Sequence, residues 1–511
     1  MKKNSNLHAS KITAILILSS LLILSGLTAL AADHDDVLRL RARKGQDIEN
    51  MDPAFHIGDE EYNINLAIFS RLMKYKPGSQ ELKLDAAESV EVSEDGKTVT
   101  FKLKEGIQFH EGYGELTAED VKFSYERIID PENESPYKSS WETLDHVEVT
   151  GKYSGKLIFN KPLASLFTTS IPYTAGAIIS KEAYKDLGDK FSTHPIGSGP
   201  YRWAEWNPNQ KIVLERFEEY YGEKPEFERI ELMTIENTKS AEMAFDRGEL
   251  DGTSIALNSV KRYENKEDAV VHKLTNLRYH FLGFQVQKEP FNDIRVRKAI
   301  RYAINSEEIV EGAYNGVPKV NNCMLPEQMV GSWEGCPNYK QDLEKASELL
   351  EEAGYPNGFK TEIVVSGPDY HSLSAQIIQQ QLLQVGINAK INQVENSYET
   401  LKKQPPVMHY WSFSLNLNPG YWFEWFTCDQ VGKWNSPSWC NEEYDRLLSE
   451  AVTTLDQEKS AEKFVEMQKI MHEEVPLVFV TNGANVHVTK PDIKPSYLAQ
   501  YSQYEYYEKK E

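Results

Sequence analysis

An α/β fold spread over several domains is expected from three features of this sequence. The chain has 511 residues, and at roughly 150 residues per domain that length corresponds to about three domains. Segments of period two alternate with segments of helical period. Near residues 363–394 the order strand, helix, strand recurs with the short spacing of a parallel unit.

The elements follow in order. Val37 to Ala42 alternates like a strand. A loop with Asp52-Pro53 comes next, then a helical stretch ending near Lys74-Tyr75. Val99 to Leu103 alternates again, after the turn signal Asp95-Gly96. Thr117 with Asp120 three positions on has the form of a capping box. Behind it Val121, Tyr125 and Ile128 lie on one helical face, and Asp130-Pro131 ends the helix. Pro195 to Tyr201, PIGSGPY, is a rigid turn. Ile212–Leu214 and Ile230–Leu232 read as strands and 238–248 as a helix stopped by Gly248. Asp293 precedes an amphipathic helix through Val296, Ala299, Ile300 and Ala303, and Ser306 is placed to cap the next one. Leu343, Ala346, Leu350 and Ala353 form another stripe. Strand 363–365, helix 372–385 and strand 387–394 make the parallel unit, and a last helix covers 457–474 before Pro476. No internal repeat, low-complexity tract or Gly/Ser linker separates the domains, so the chain passes back and forth between them.

Composition narrows the function. The formal net charge of −22 repels phosphate backbones and argues against a nucleic-acid partner. The 27 Tyr, 20 Phe and 9 Trp are enough to fill a large core and also to line a pocket. Residues 1–11 carry Lys2, Lys3 and Lys11 and no acid, residues 12–32 carry no charge, and the run ends Ala29-Leu30-Ala31-Ala32. That is the pattern of an export signal cleaved after Ala31, or after Ala32. An uncleaved anchor is the alternative, since the uncharged run is long enough to span. Either way the mature chain works outside the cytoplasm. The cysteines agree: Cys323 and Cys336, then Cys428 and Cys440, form two local pairs that in an oxidising compartment read as two disulfides. A zinc site prefers closer Cys pairs or His partners at fixed offsets, so no metal site is assigned.

Catalytic spacings are missing. His110-Glu111 and His472-Glu473 each lack the second His of a zinc-protease helix. Gly197-Ser198-Gly199 lacks the spacing of a nucleophile elbow, and there is no phosphate loop. The reading is a non-enzyme without a cofactor; a secreted hydrolase is the rival from another class.

Four stretches then carry a resemblance. They are FHEGYGELTAEDVKFSYERIIDP at 109–131, PIGSGPYRW at 195–203, FNDIRVRKAIRYAINSEEIV at 291–310, and the unit 346–394 with LLEEAGY and QQQLLQVGI. In series and in order, they resemble the extracytoplasmic solute-binding proteins of ABC importers, family 5, the peptide/opine/nickel group. The resemblance implies a two-lobed periplasmic binding protein fold with an extra domain, the type II, three-domain, peptide-binding-protein-like form. It places the first lobe at 33–76, 192–282 and 484–511, the extra domain at 77–191 and the second lobe at 283–483. It implies a monomer that closes on a peptide or similar small organic solute and delivers it unchanged to permease subunits; an oligosaccharide or opine receptor is the alternative.

The resemblance also locates candidate ligand contacts. Dipeptide-binding relatives hold the ligand's ammonium with an Asp shortly before an Asp-Pro pair that follows a Trp. They hold its carboxylate with an Arg on the loop after the strand matching Ile363–Val365. Here the stretches are WSFSLNLNPGYWF at 411–423, with Ser414, Leu415 and Asn416 near the Asp position, and VVSGPDYHS at 364–372, with no Arg. Both ion-pairing groups are missing at those places, which points away from a zwitterionic dipeptide and leaves a longer peptide held by backbone hydrogen bonds. Trp411, Tyr421, Trp422 and Trp425 with Asn416 and Asn418 replace them: flat rings and amides that suit sugar faces, apolar side chains or a cation. Asp369 and His371 are candidate polar anchors. Phe55 and His56 lie on a loop that faces the cleft in relatives. The competing reading for Trp422 and Trp425 is the core of a short helix. A lone His371 or His409 gives no nickel site.

Overall fold

The computed structural model describes residues 36–510 except 43, 44 and 415. The apolar run of 12–32 and its cleavage site at Ala31 lie outside the described residues. Among the described residues no helix is long and apolar enough to cross a membrane.

Two mixed sheets organise the molecule. The first has seven strands in the order Val270–Thr275, Ala484–Thr489, Gly252–Ser254, Val37–Arg41, Arg229–Met233, Lys211–Arg216, Tyr201–Asn207. Val37–Arg41 runs parallel to Arg229–Met233 and Gly252–Ser254, and the other pairings are antiparallel. The second has five strands: Asn388–Gln393, Lys360–Val365, Met408–Ser414, Arg278–Phe284, Leu477–Thr481. Its first three strands are parallel, which is the expected strand–helix–strand unit; the helix between the first two runs Asp369–Leu383. A third, antiparallel sheet of four strands, Ala87–Val92, Thr98–Leu103, Ser154–Phe159 and Leu144–Gly151, packs against helix Ala118–Ile129.

Local signals explain most boundaries. Asp120 accepts from the Thr117 backbone N–H at 2.9 Å and from its hydroxyl at 2.8 Å, completing the capping box. Val121, Tyr125 and Ile128 turn inward and are buried. Asp456 accepts from the N–H groups of Glu458 and Lys459 and starts helix Gln457–Glu474. The glycines of PIGSGPY are required by close approach: a β-carbon on Gly197 would sit 2.1 Å from the Ile68 carbonyl oxygen. The cysteines pair as Cys323–Cys336 and Cys428–Cys440.

Two expectations need correction. The helix after Asp52-Pro53 covers Asp59–Ile68 and does not reach Tyr75; Met73–Tyr75 is a strand paired with Leu82–Leu84. The reason is tertiary. Gly199 donates its N–H to Ile68 O at 2.7 Å and Ser70 Oγ donates to Ser198 O at 3.0 Å, so the turn 195–201 pulls the chain out of the helix. Asn305, not Ser306, caps helix Ser306–Tyr314, its side chain accepting from Glu308 N–H at 3.2 Å.

The two large sheets share two chain crossings. Val270–Thr275 leads into Arg278–Phe284, and Leu477–Thr481 leads into Ala484–Thr489. The crossings lie side by side, with Asn276 N–H donating to Gly483 O. Gly483 has φ +71°, a backbone state that a β-carbon disfavours.

Candidate functional site

The site grows out of the five-stranded sheet. Lys360–Val365 and Met408–Ser414 are parallel, and Arg278–Phe284 runs against them. The carboxyl ends of the first two and the amino end of the third therefore meet at one edge of the sheet. In open α/β sheets that edge is where ligands bind. Here it holds Arg278, Ser414 and the start of helix Asp369–Leu383, and it faces the end of the seven-stranded sheet that carries Arg41, Ser254 and His487. Between them lies a cleft of about 570 Å³.

Strand alternation decides which side chains reach it. Tyr279 and Phe281 point to the apolar face, where Phe413, Trp422, Phe426 and Phe479 pack. Arg278 and His280 point the other way. His280 is buried, its Nδ1 lies 3.1 Å from His371 Nε2, and His371 Nδ1 lies 2.6 Å from Ser366 O. The rings of Tyr314 and Tyr370 stand edge-on to His280 at 5.3 and 5.8 Å. Burial holds the His280 imidazole well below its usual range, with His371 and Arg278 adding to the effect. Burial likewise pushes His371 down to about 4, against the opposing effect of its bond to Ser366 O.

The cleft wall carries two arginines. Arg278 is half-buried and donates to the Ser414 hydroxyl; among the described residues no carboxylate lies within ion-pair distance of it. Arg41, on the facing sheet, is held by Ile235 O at 2.8 Å, Glu236 O at 2.7 Å, and the hydroxyls of Thr238 and Ser254. All four partners are neutral. Asp59 and the exposed Glu236 bring acid groups to the same wall.

The residues nominated from sequence fall in several places. His371 is at the cleft, behind His280. Asp369 is exposed at the first position of its helix. Trp422 is fully buried and donates to the Asn416 carbonyl at 2.8 Å. Asn416 Oδ1 accepts from Asn418 N–H, bracing that turn. Trp411 is buried against His409, ring centroids 4.2 Å apart, and its indole N–H has no partner among the described residues. Tyr421 is half-buried with its ring edge-on to Trp425 at 5.1 Å. Phe55 lies beneath the Arg127 guanidinium. His56 is buried beside Asn65, and burial, with Arg71 adding to it, pushes its imidazole down to about 3. Sequence reading passed over Arg278, His280 and Arg41. A charged and a polar residue two apart in an otherwise apolar strand, RYHFLGF, was the available signal.

Comparison with known proteins completes the description. Residues 81–433 match the model of bacterial extracellular solute-binding proteins, family 5 Middle. The chain belongs to that family. It is 26% identical over 488 residues to the dipeptide-binding protein of Escherichia coli K12, covering 87% of this chain and 89% of that one. The periplasmic binding protein DppA from Helicobacter pylori, ABC transporter-associated and in complex with peptide STSA, superposes with TM-score 0.73 at 26% identity, covering 93% and 98% of the two chains. HbpA2 from Haemophilus parasuis shares the fold with TM-score 0.84 at 23% identity, over 93% and 99%. The architecture is thus that of the multi-domain α/β binding proteins.

Proposed function

We propose that this protein is the periplasmic receptor of an ABC importer for a peptide or similar small organic solute. It holds the solute between its two large sheets and hands it unchanged to the membrane permease, working as a monomer. The first lobe is assembled from 33–76, 192–282 and 484–511, the extra domain from 77–191 and the second lobe from 283–483. The observation that carries the reading is the cleft of about 570 Å³ between two sheets joined by two adjacent strand crossings. Such a joint lets one sheet swing on the other. A solute that touches both walls binds the closed form better and shifts the population toward it. The closed form is the shape a permease recognises.

The wall chemistry favours a solute with an acidic group. Arg278 is half-buried, with no carboxylate among the described residues within ion-pair distance. Arg41 makes its hydrogen bonds to neutral partners, with Glu242 acting on it only at longer range. A partly desolvated cation of this kind gains from an anionic partner. An opine receptor is the second reading, supported by a solved relative, MoaA in complex with mannopinic acid, at 25% identity and TM-score 0.69. The same charges disfavour a neutral oligosaccharide. His371 then serves the solute through His280, while Trp411 and Trp422 build the apolar wall behind Tyr279.

Native mass spectrometry of protein taken from the periplasm, with small-angle scattering before and after stripping, tests the proposal. A released small molecule and a more compact loaded form are expected. Superimposable scattering curves, or a solute recovered chemically altered, would refute it.

A further inference from the structure

The His280–His371 pair is more specific than two buried imidazoles. Ser366 O can only accept, so His371 Nδ1 carries the proton of that 2.6 Å bond. A neutral His371 then has a bare Nε2, which accepts from Nδ1–H of His280 at 3.1 Å. A neutral His280 is left with a bare Nε2. The chain Ser366, His371, His280 therefore fixes one tautomer by its fixed end. His280 Nε2 has no partner among the described residues, and it lies over the crossing: a β-carbon on Gly483 would be 2.8 Å from it. Burial keeps both rings neutral.

Arg278 stands two positions earlier on the same strand face, about 6.6 Å along the strand at 3.3 Å per residue. Its long stem lets the guanidinium lean toward the imidazole, and its contacts, the Ser414 hydroxyl and Tyr370, leave donors over. The wall thus offers a cationic donor fork next to a neutral acceptor that cannot switch tautomer without breaking the relay.

We infer that Arg278 and His280 together read a carboxylate and an N–H one carbon away from it, as found at the C-terminal residue of a peptide or in an N-acyl amino acid. Arg278 takes the carboxylate oxygens and His280 Nε2 accepts the N–H. His371 is a positioning residue that sets the tautomer. The inference rests on the receptor reading above and deepens it by naming the ligand group that the cleft selects.

Three matched probe sets test it by calorimetry on stripped protein: tri- and tetrapeptides with a free C-terminus, the same peptides C-terminally amidated, and the same peptides with an ester oxygen in place of the last peptide N–H. Wild type is expected to lose about tenfold or more in affinity on amidation and on ester replacement. Arg278→Gln should erase most of the amidation effect and His280→Phe most of the ester effect. His371→Phe should weaken the ester discrimination while sparing the amidation effect, which a merely structural role would not do. Should the histidine variants fail to fold, the three probe sets on wild type and Arg278→Gln still decide. Amidated or ester peptides binding wild type within twofold of their parents overturn the inference and leave the receptor reading intact. So does a solute without a carboxylate recovered from the native protein. No solute of any kind and no closure in scattering overturn the receptor reading, and the inference with it.

Discussion

Replacing Arg127 by Met removes one half of a buried ion pair. Arg127, within the 109–131 stretch, donates through Nη1 to Asp52 Oδ1 at 2.9 Å and through Nη2 to Asp52 Oδ2 at 2.6 Å. The two side chains are only 7% and 6% exposed. The bond ties helix Ala118–Ile129 to the loop that leads into helix Asp59–Ile68. In Arg127→Met the Asp52 carboxylate keeps the Ala54 N–H at 3.0 Å and loses its counter-ion, which costs about 3–5 kcal/mol. Asp52→Asn should cost less, because the guanidinium still lies 4.3 Å over the Tyr184 ring. Removing both charges should cost less than the sum of the singles, with a coupling of about 2 kcal/mol. Urea unfolding of the four proteins gives the cycle, and hydrogen exchange of helix 118–129 locates the loss. An Arg127→Met protein within about 1 kcal/mol of wild type, or strictly additive singles, would show that the pair contributes geometry without energy and refute the reasoning.

Four further expectations follow from the same contacts. His56, His371 and His409 are held neutral by burial, at about 3, 4 and 3, against about 6.5 unfolded. The unfolded chain therefore binds more protons between these values, so stability is full above about pH 7 and falls as pH drops from about 6.5 toward 4; urea midpoints at pH 7, 6 and 5 should decline, and a flat or rising series would contradict this. Trp422→Ala empties a fully buried site and breaks the bond to the Asn416 carbonyl, so it should destabilise by about 3–5 kcal/mol in the same urea assay. Reducing Cys428–Cys440, which closes a short loop, should remove about 3 kcal/mol by the chain-entropy account, read as a lower melting temperature in dithiothreitol and in Cys428→Ser. Lys261 and Glu311 meet at 3.9 Å but are 78% and 71% exposed; Lys261→Ala should change solute affinity less than twofold at physiological salt.

What could be read in advance was what local chemistry decides. Caps such as Thr117 with Asp120, and Asp293, mark helices because the side chain and the first free N–H groups are neighbours in sequence. The parallel unit was visible because strand, helix and strand follow one another. The early end of helix Asp59–Ile68 was not visible, since it is set by bonds between the segment around Ile68 and Gly199 and Ser198, more than a hundred residues away. The site was the least legible part. Reading outward from the family's usual loops pointed to 364–372 and 411–423, where the ion-pairing groups are absent. The charge proposed to read the solute sits instead on Arg278, in a strand whose neighbours Tyr279 and Phe281 look like ordinary core. Its exposure to the cleft depends on which sheet edge it occupies, which no window of sequence contains.

The order of strands in the seven-stranded sheet constrains how the protein comes into being. Ala484–Thr489 follows every other strand of that sheet in the chain, yet it sits between Gly252–Ser254 and Val270–Thr275. Until it arrives, Val270–Thr275 has no partner in that sheet and Gly252–Ser254 is paired on one side only, to Val37–Arg41. The five-stranded sheet is drawn from one stretch, 278 to 481, and its strand Arg278–Phe284 likewise waits for Met408–Ser414 and Leu477–Thr481. A polypeptide emerging amino end first therefore completes both large sheets only near its end, the second with Leu477–Thr481 and the first with Ala484–Thr489. Late completion of this kind lengthens loop closure and slows folding.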